Sequence, residues 1–288
     1  MVIDCSRRYI RQAAGVVLAV LLLAAAAKLA WAQESGTNAL PFSRGEELVY
    51  RAEFTRGLLR GIDVAEFRFK ADSKHASPKN GSAGDPATFS LVGDVISKGV
   101  FVRVAGFHFH QHVESMVDPK PFVALNTSKL YEQGKRTRLS EAVFDHQARK
   151  VTWSERDPNQ SGAPAITTLD FSEPIQDVLT VIYFLRTQRL EVGKSLEIPL
   201  TDSGRVFRLS VAVLERKRID TALGRVNAFR IMPAIFGDTG LSRSRGQLSI
   251  WITDDSRHLP VKAQLKVDIG TFDIKLKRLS FPETRQAR

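Results

Sequence analysis

One segment, residues 175–190 (IQDVLTVIYFLRTQRL), narrows the architectures open to this chain more than any other. It is the only long stretch beyond the N-terminal region that reads as a helix. Its apolar residues do not keep to a stripe: Val178, Leu179, Val181, Ile182, Tyr183, Phe184 and Leu185 occupy nearly the whole circumference. A helix apolar on every side must be enclosed, because no face can be left to water. The segments before and after it alternate with period two. The chain is therefore expected to be mainly β, a curved antiparallel sheet (half-barrel or open barrel) wrapping one buried helix. Pro174 suits a first helical turn, Asp177 and Arg186 suit the two poles of the helix dipole, and Gly193 is the expected stop.

The strand signals lie at 47–54, 62–70, 88–95, 107–117, 122–131, 136–144, 150–153 and 165–171 before the helix. After it they lie at 195–200, 205–216, 225–236, 246–253, 260–269 and 271–279. The last pair alternates most clearly. Val261, Ala263, Leu265, Val267 and Ile269 share a face against Lys262, Gln264, Lys266 and Asp268, as in a sheet with one buried and one wet side. Residues 96–105 do not distinguish helix from strand. The Ser-, Pro- and Gly-rich stretch 73–86 reads as an exposed loop. No repeat or shift in composition divides the chain, so residues 42–280 are read as a single domain, with a tail at 281–288.

The N-terminus carries an address. Arg7, Arg8 and Arg11 precede an uncharged apolar run from Ala13 to Ala27, and Ala30-Trp31-Ala32 offers small residues at a cleavage site. This is the pattern of a signal peptide, residues 1–32, cut after Ala32 and followed by a flexible leader at 33–41. The only cysteine, Cys5, lies within it. The exported chain would then hold no disulfide, no thiolate nucleophile and no lipid anchor. A bacterial periplasm fits, with membrane contact only through the signal during export. The net charge of +11 falls to +8 once Arg7, Arg8, Arg11, Lys28 and Asp4 are removed. A positive surplus favours anionic partners. Export argues against nucleic acid and leaves an anionic lipid, a glycolipid or a glycan.

His108, His110 and His112 fall on one face of a strand, with Glu114 next in line, and form the candidate metal site. Neighbouring side chains on that face stand about 6–7 Å apart, so only adjacent ones converge on an ion, whereas tight zinc sites use three or four ligands. The competing reading, a solvated strand face, is preferred, and no cofactor is expected. Asp254 and Asp255 beside His258 would suit acid–base chemistry or calcium, but Asp at a turn more simply bonds neighbouring amides. Arg186, Tyr183, Trp251, Arg243 and Arg245 are the ligand-binding candidates. Nucleophile elbow, HExxH, P-loop and dinucleotide glycine patterns are missing, so no catalytic residue is assigned.

Four stretches together carry a family resemblance: GEELVYRAEF, DPKPFVALN, DVLTVIYFLR and IWITDDSRHLPVKAQLKVDIGTFDIKL. They are similar to the uncharacterised exported bacterial family catalogued as domain of unknown function 3108. The resemblance spans about 41–279 and implies a periplasmic setting and a curved antiparallel sheet, with no reaction or substrate attached. The expected function is an envelope-associated binding protein that holds a lipid, glycolipid or glycan in its sheet. The alternatives are a metal-dependent or acid–base hydrolase and a structural protein that binds a partner along a sheet edge.

Overall fold

The structure is a computed structural model that describes residues 40–74, 88–99, 108–237 and 245–281. The expected signal peptide and its cleavage site, Cys5, most of the 33–41 leader and of the 73–86 loop, residues 100–107, Arg243 and most of the C-terminal tail lie outside the described residues.

Fourteen strands and one helix make up the described chain. The strands before the helix are β1 (Glu46–Arg56), β2 (Leu59–Lys74), β3 (Thr88–Ser97), β4 (Phe109–Pro119), β5 (Phe122–Gln133), β6 (Arg136–Asp145), β7 (Lys150–Arg156) and β8 (Ala165–Asp170). The helix is α1 (Thr180–Thr187), and after it come β9 (Ser195–Asp202), β10 (Arg205–Thr221), β11 (Gly224–Pro233), β12 (Gly246–Thr253), β13 (Pro260–Val267) and β14 (Gly270–Ser280). Consecutive strands pair antiparallel except β8 and β9, which are the two edges, and β1 also pairs with β14. The result is one sheet in the order β8-β7-β6-β5-β4-β3-β2-β1-β14-β13-β12-β11-β10-β9. Each of the fourteen strands overlaps one of the strand signals read from the sequence, and those that alternate do so as a sheet with one dry and one wet face requires.

The two edge strands are drawn together by the chain that links them. Gln176 forms a parallel bridge with Leu200: its N–H donates to Pro199 O at 3.0 Å and its carbonyl accepts from Thr201 N at 2.9 Å. Trp153 Nε1 on β7 donates to Thr201 Oγ1 on β9 at 2.9 Å. A Cβ on Gly204, in the β9–β10 turn, would lie 3.5 Å from Thr167 of β8. The sheet is thereby curled into an open barrel with a stitched seam.

That seam corrects the expected helix. The segment 175–190 gives an eight-residue α1 rather than a continuous helix, because the backbone at Gln176 is committed to β9. Asp177, fully buried, starts the turn: its Oδ1 accepts from Leu179 N at 2.7 Å and Thr180 N at 2.8 Å, while Asp177 N donates to Thr180 Oγ1 at 2.7 Å. This reciprocal box satisfies amides that a helix start leaves orphaned. The helix is also not buried on every side. Val181, Tyr183, Leu185 and Arg186 are buried, Val178, Ile182 and Phe184 are half-buried, and Thr187 is exposed.

Three apolar clusters fill the inner face. Val181 and Leu185 pack on Leu200, Val211 and Ile231 of β9–β11. Leu48, Tyr50, Leu259, Val261 and Leu276 form a second cluster, and Ala142, Phe144, Val151 and Trp153 meet Phe171 and Ile175 in a third. Each fully buried aliphatic side chain is worth about 1.5–3 kcal/mol, so these clusters are the main force that curls the sheet onto α1.

The plug sits at one end of the barrel. Phe42, just before β1, packs edge-on against Phe89, Phe122 and Tyr183, with ring centroids 5.9, 5.9 and 4.9 Å away. Arg186 reaches Glu46, Pro41 O and Arg257 O beside them. These residues lie at the starts of β1, β3 and β5 and in the β12–β13 turn, which the antiparallel register places at a common end. The β1–β2, β5–β6, β9–β10 and β13–β14 turns lie at the other end. The outward face between them is ionic: Arg68 pairs with Glu47, Lys98 with Glu66 and Lys275 with Glu53. A lipid-facing barrel would carry an apolar band there. Among the described residues, no helix is long and apolar enough to cross a membrane.

Candidate ligand-binding site

Eight helical residues span about 12 Å, whereas strands of eleven residues such as β1 and β14 run about 36 Å. The plug therefore covers only part of the inner face. Toward the end opposite the plug, the open end among the described residues, inward positions of β1–β4, β13 and β14 face a cavity.

The apolar part of that cavity has a volume of about 510 Å³. Ala52 and Ala65 form its floor, since their small side chains leave room, and Phe54, Phe67, Phe109 and Phe272 wall it with Val64, Val95, Leu265, Ile269 and Ile274. Ser97 is its only polar residue, and the Ser97 hydroxyl already accepts from Phe109 N at 2.9 Å. Phe67 and Val95 also border a middle chamber of about 340 Å³, which Val178, Leu179 and Ile182 of the plug segment close from the other side. Gly93 makes that approach possible, because a Cβ there would lie 3.2 Å from Leu179 Cδ1 and 3.3 Å from the Phe69 ring.

Gln111 and Asp202 border the middle chamber and also a polar one of about 770 Å³. Lys129, only 8% exposed, pairs with Asp202 across the lumen and lies 4.8 Å from the Trp153 ring centroid. Arg138 donates to Glu155 Oε1 at 2.7 Å, and Ser140 to the other oxygen at 3.3 Å. Tyr131 donates to Gln133 at 2.7 Å, and its ring meets Phe109 edge-on at 5.5 Å, so the polar and apolar walls touch. The polar chamber carries Lys129, Arg136 and Arg138 against Glu155, Asp157 and Asp202, with hydroxyls and amides between. It is balanced in charge, although the chain as a whole is basic.

The residues singled out from sequence lie elsewhere. Arg186 is completely buried, and its guanidinium is taken up by protein: Nη1 to Glu46 Oε1 at 2.5 Å, Nη2 to Glu46 Oε2 at 3.0 Å and Pro41 O at 2.9 Å, and Nε to Arg257 O at 3.1 Å. Tyr183 is beside it, 1% exposed, and its hydroxyl has no hydrogen-bond partner among the described residues. Burial pushes the Tyr183 and Tyr50 phenols well above the usual range, opposed by the Arg186 charge. Trp251 is packed in the wall, with the Lys262 and Lys217 ammoniums 4.8 and 5.8 Å from its ring centroid. Arg245 is exposed just before β12.

His110 and His112 stand on the outer face. Both approach Asp94 Oδ1, at 3.6 and 2.7 Å, and His110 Nδ1 lies 2.9 Å from Glu132. Glu114 accepts from Ser90, and His108 is exposed ahead of β4. Among the described residues, no group of three or more His, Cys, Asp or Glu is arranged to hold a metal ion. Asp254 engages Arg216, and Asp255 accepts from Thr253 Oγ1 at 2.7 Å and Arg257 N at 3.1 Å. Burial would raise the Asp255 carboxyl, but the bonds from Thr253 and Arg257 outweigh it and hold it below the usual range. Both lie in the β12–β13 turn at the plugged end, away from the cavity.

Among solved structures, a β-barrel-like protein of domain of unknown function DUF1849 from Brucella abortus matches with a TM-score of 0.52 at 12% identity, over 83% of this chain and 98% of that one. It supports the barrel-like fold. A protein described as exported, with a YmcC-like fold, from Bacteroides fragilis aligns at a TM-score of 0.31 and 8% identity, covering 84% of this chain and 98% of the other. One described as a lipoprotein, from Parabacteroides distasonis, aligns at 0.29 and 9%, covering 83% and 96%. No curated protein matches the sequence. The family model described as "Protein of unknown function (DUF3108)" matches residues 49–277, nearly the whole sheet with its plug, and the chain belongs to that family.

Proposed function

We propose that this chain is an exported, periplasmic envelope protein that holds an amphipathic molecule, a lipid or glycolipid, inside its curved sheet. The observation that carries the reading is the continuity of the inner wall. An apolar chamber walled by four phenylalanines shares Phe67 and Val95 with a middle chamber, which shares Gln111 and Asp202 with a charged one. An acyl chain fits the first, and a polar head the last. Chambers of these volumes lie within the range of about 300–1,000 Å³ usual for small-molecule sites. Burial of an acyl chain contributes about 0.8 kcal/mol per methylene, so ten methylenes offer about 8 kcal/mol, the scale of micromolar binding before ordering costs. The balanced charges and the hydroxyl and amide groups of the polar chamber favour a head bearing hydroxyls, or both charges, over a bare anion. The signal-peptide pattern at 1–32 supports export.

Native mass spectrometry of protein purified from its own envelope should find lipid-class mass bound. Ala65→Trp fills the apolar chamber without adding charge, and it should weaken binding of a fluorescent acyl probe about tenfold or more, as expected when a chain of several methylenes loses its site. Parent-like probe binding by a folded Ala65→Trp variant would refute the assignment of the chamber.

A further inference from the structure

The β1–β2 turn carries the most exposed large apolar side chain among the described residues, Leu58. Leu58 is 101% exposed and Leu59 53%, and Ile269 in the β13–β14 turn is 57% exposed. The two turns are neighbours, because β1 pairs with β14 and Thr55 lies opposite Thr271. The first is held in shape rather than loose: Gly61 N donates to Thr55 Oγ1 at 3.3 Å, and Gly57 and Gly61 adopt φ of +55° and +65°. Arg56 and Arg60 flank the leucines in sequence, Lys266 lies on β13 opposite Thr271 of β14, and all three are exposed. Among the described residues, none of the three has a carboxylate partner; Asp268 is the one acid exposed beside them. Ile269 also lines the apolar chamber, so the exposed patch runs into the cavity.

We propose that this open end docks on an anionic phospholipid surface, with Leu58, Leu59 and Ile269 entering the head-group layer and Arg56, Arg60 and Lys266 meeting phosphates. The proposal rests on the lipid-binding reading and adds the route by which a lipid reaches the chamber. An apolar tip ringed by cations is the chemistry that binds at an anionic interface, and each cation near such a surface is worth about fivefold in affinity. A soluble protein partner would be met more economically by a flatter, continuous patch than by two narrow turns with a basic collar.

The test reads the tip itself, in the full chain, so that the N-terminal segment is common to every variant. Leu58→Trp should show a blue-shifted emission, and quenching by brominated acyl chains beyond that of the parent, on vesicles containing phosphatidylglycerol. Both should be weak on pure phosphatidylcholine. Adding Arg56→Gln and Arg60→Gln should cut the quenched fraction at a given lipid concentration on the order of tenfold, with a shallower salt dependence. Leu58→Ser with Leu59→Ser, at exposed positions, should melt with the parent and keep any bound lipid while losing acquisition of lipid from vesicles. No added quenching on anionic vesicles, or equal quenching on neutral ones with no dependence on Arg56 and Arg60, overturns the proposal. Failure of the chamber reading is separable from this, since it appears as unaltered probe binding by Ala65→Trp whatever the tip does.

Discussion

Glu46→Gln is the substitution whose effect follows most directly from the geometry. The Arg186 and Glu46 side chains are 0% and 1% exposed, and two parallel bonds join them. The remaining guanidinium donors go to Pro41 O and Arg257 O, and Phe42 and Tyr183 lie 5.2 and 5.6 Å from the guanidinium carbon. Glutamine keeps the shape but removes the charge and turns an amide donor toward the arginine donors. Breaking such a pair from one side costs about 3–5 kcal/mol, because the surviving charge stays buried without its partner. At about 2–4 °C per kcal/mol for a domain of this size, the melting temperature should fall by about 6–20 °C. Added salt should change that loss little, since a buried pair is poorly screened. Asp220→Asn, which breaks the exposed pair with Arg225 (77% and 61% exposed), should melt close to the parent, because solvent screens a pair of that kind. Replacing both partners, Glu46→Leu with Arg186→Met, should be less damaging than either single change. Thermal and urea unfolding of Glu46→Gln, Asp220→Asn, the double variant and its two single changes make the comparison. A Glu46→Gln protein that melts within about 2 °C of the parent would show that the pair does not hold the plug.

Asp177→Ala removes the acceptor of Leu179 N, Thr180 N and Thr127 Oγ1, all buried, and should cost about 2–4 kcal/mol in urea unfolding. The buried phenols of Tyr50 and Tyr183 are raised above the ordinary value of 10.0, so the unfolded state ionises first; their contribution is complete below pH 10 and is lost as pH rises beyond it. Tyr183→Phe should stay near parental stability at pH 7, since its hydroxyl has no partner among the described residues, and should lessen the alkaline loss. Phenolate absorbance appearing near pH 10 in the native protein from both residues would contradict this.

The strands were legible because half-buried β-structure writes itself at period two, and that alternation survives through residues 261–267 of β13 and 272–277 of β14, while Asp268 and Ile269, expected to continue the first strand, form the turn between them and leave Ile269 exposed. The helix was legible in kind but not in extent. Ile175 and Leu179 are buried, as their apolar side chains imply, but burial by a seam with β9 and burial by a helix leave the same composition. The cavity was invisible for a related reason. Phe54, Phe67 and Phe272 have the same inward phase as Leu48 and Leu276, and only the reach of α1 decides which of them it covers. Arg186 misled because a cation in the last turn of a helix suits the dipole whether it faces solvent or a buried carboxylate. Its partner Glu46 lies 140 residues away.

The seam and the chamber are thus one design problem. A helix over all sixteen residues of 175–190 would be about 24 Å long, twice the length of α1. It could fill far more of the lumen. The seam prevents this: Gln176 must lie extended to bond Pro199 and Thr201, and Asp177 must turn at once to start the helix. The residues that bring the sheet edges together are unavailable to the plug. Among the described residues, α1 then leaves the inner apolar positions toward the other end uncovered, and it is this surface that the proposed ligand would cover. Among the described residues, the packing that closes the barrel along its side leaves the other end without a plug, and that end carries the leucine-tipped, arginine-flanked β1–β2 turn, where the proposed amphiphile would enter.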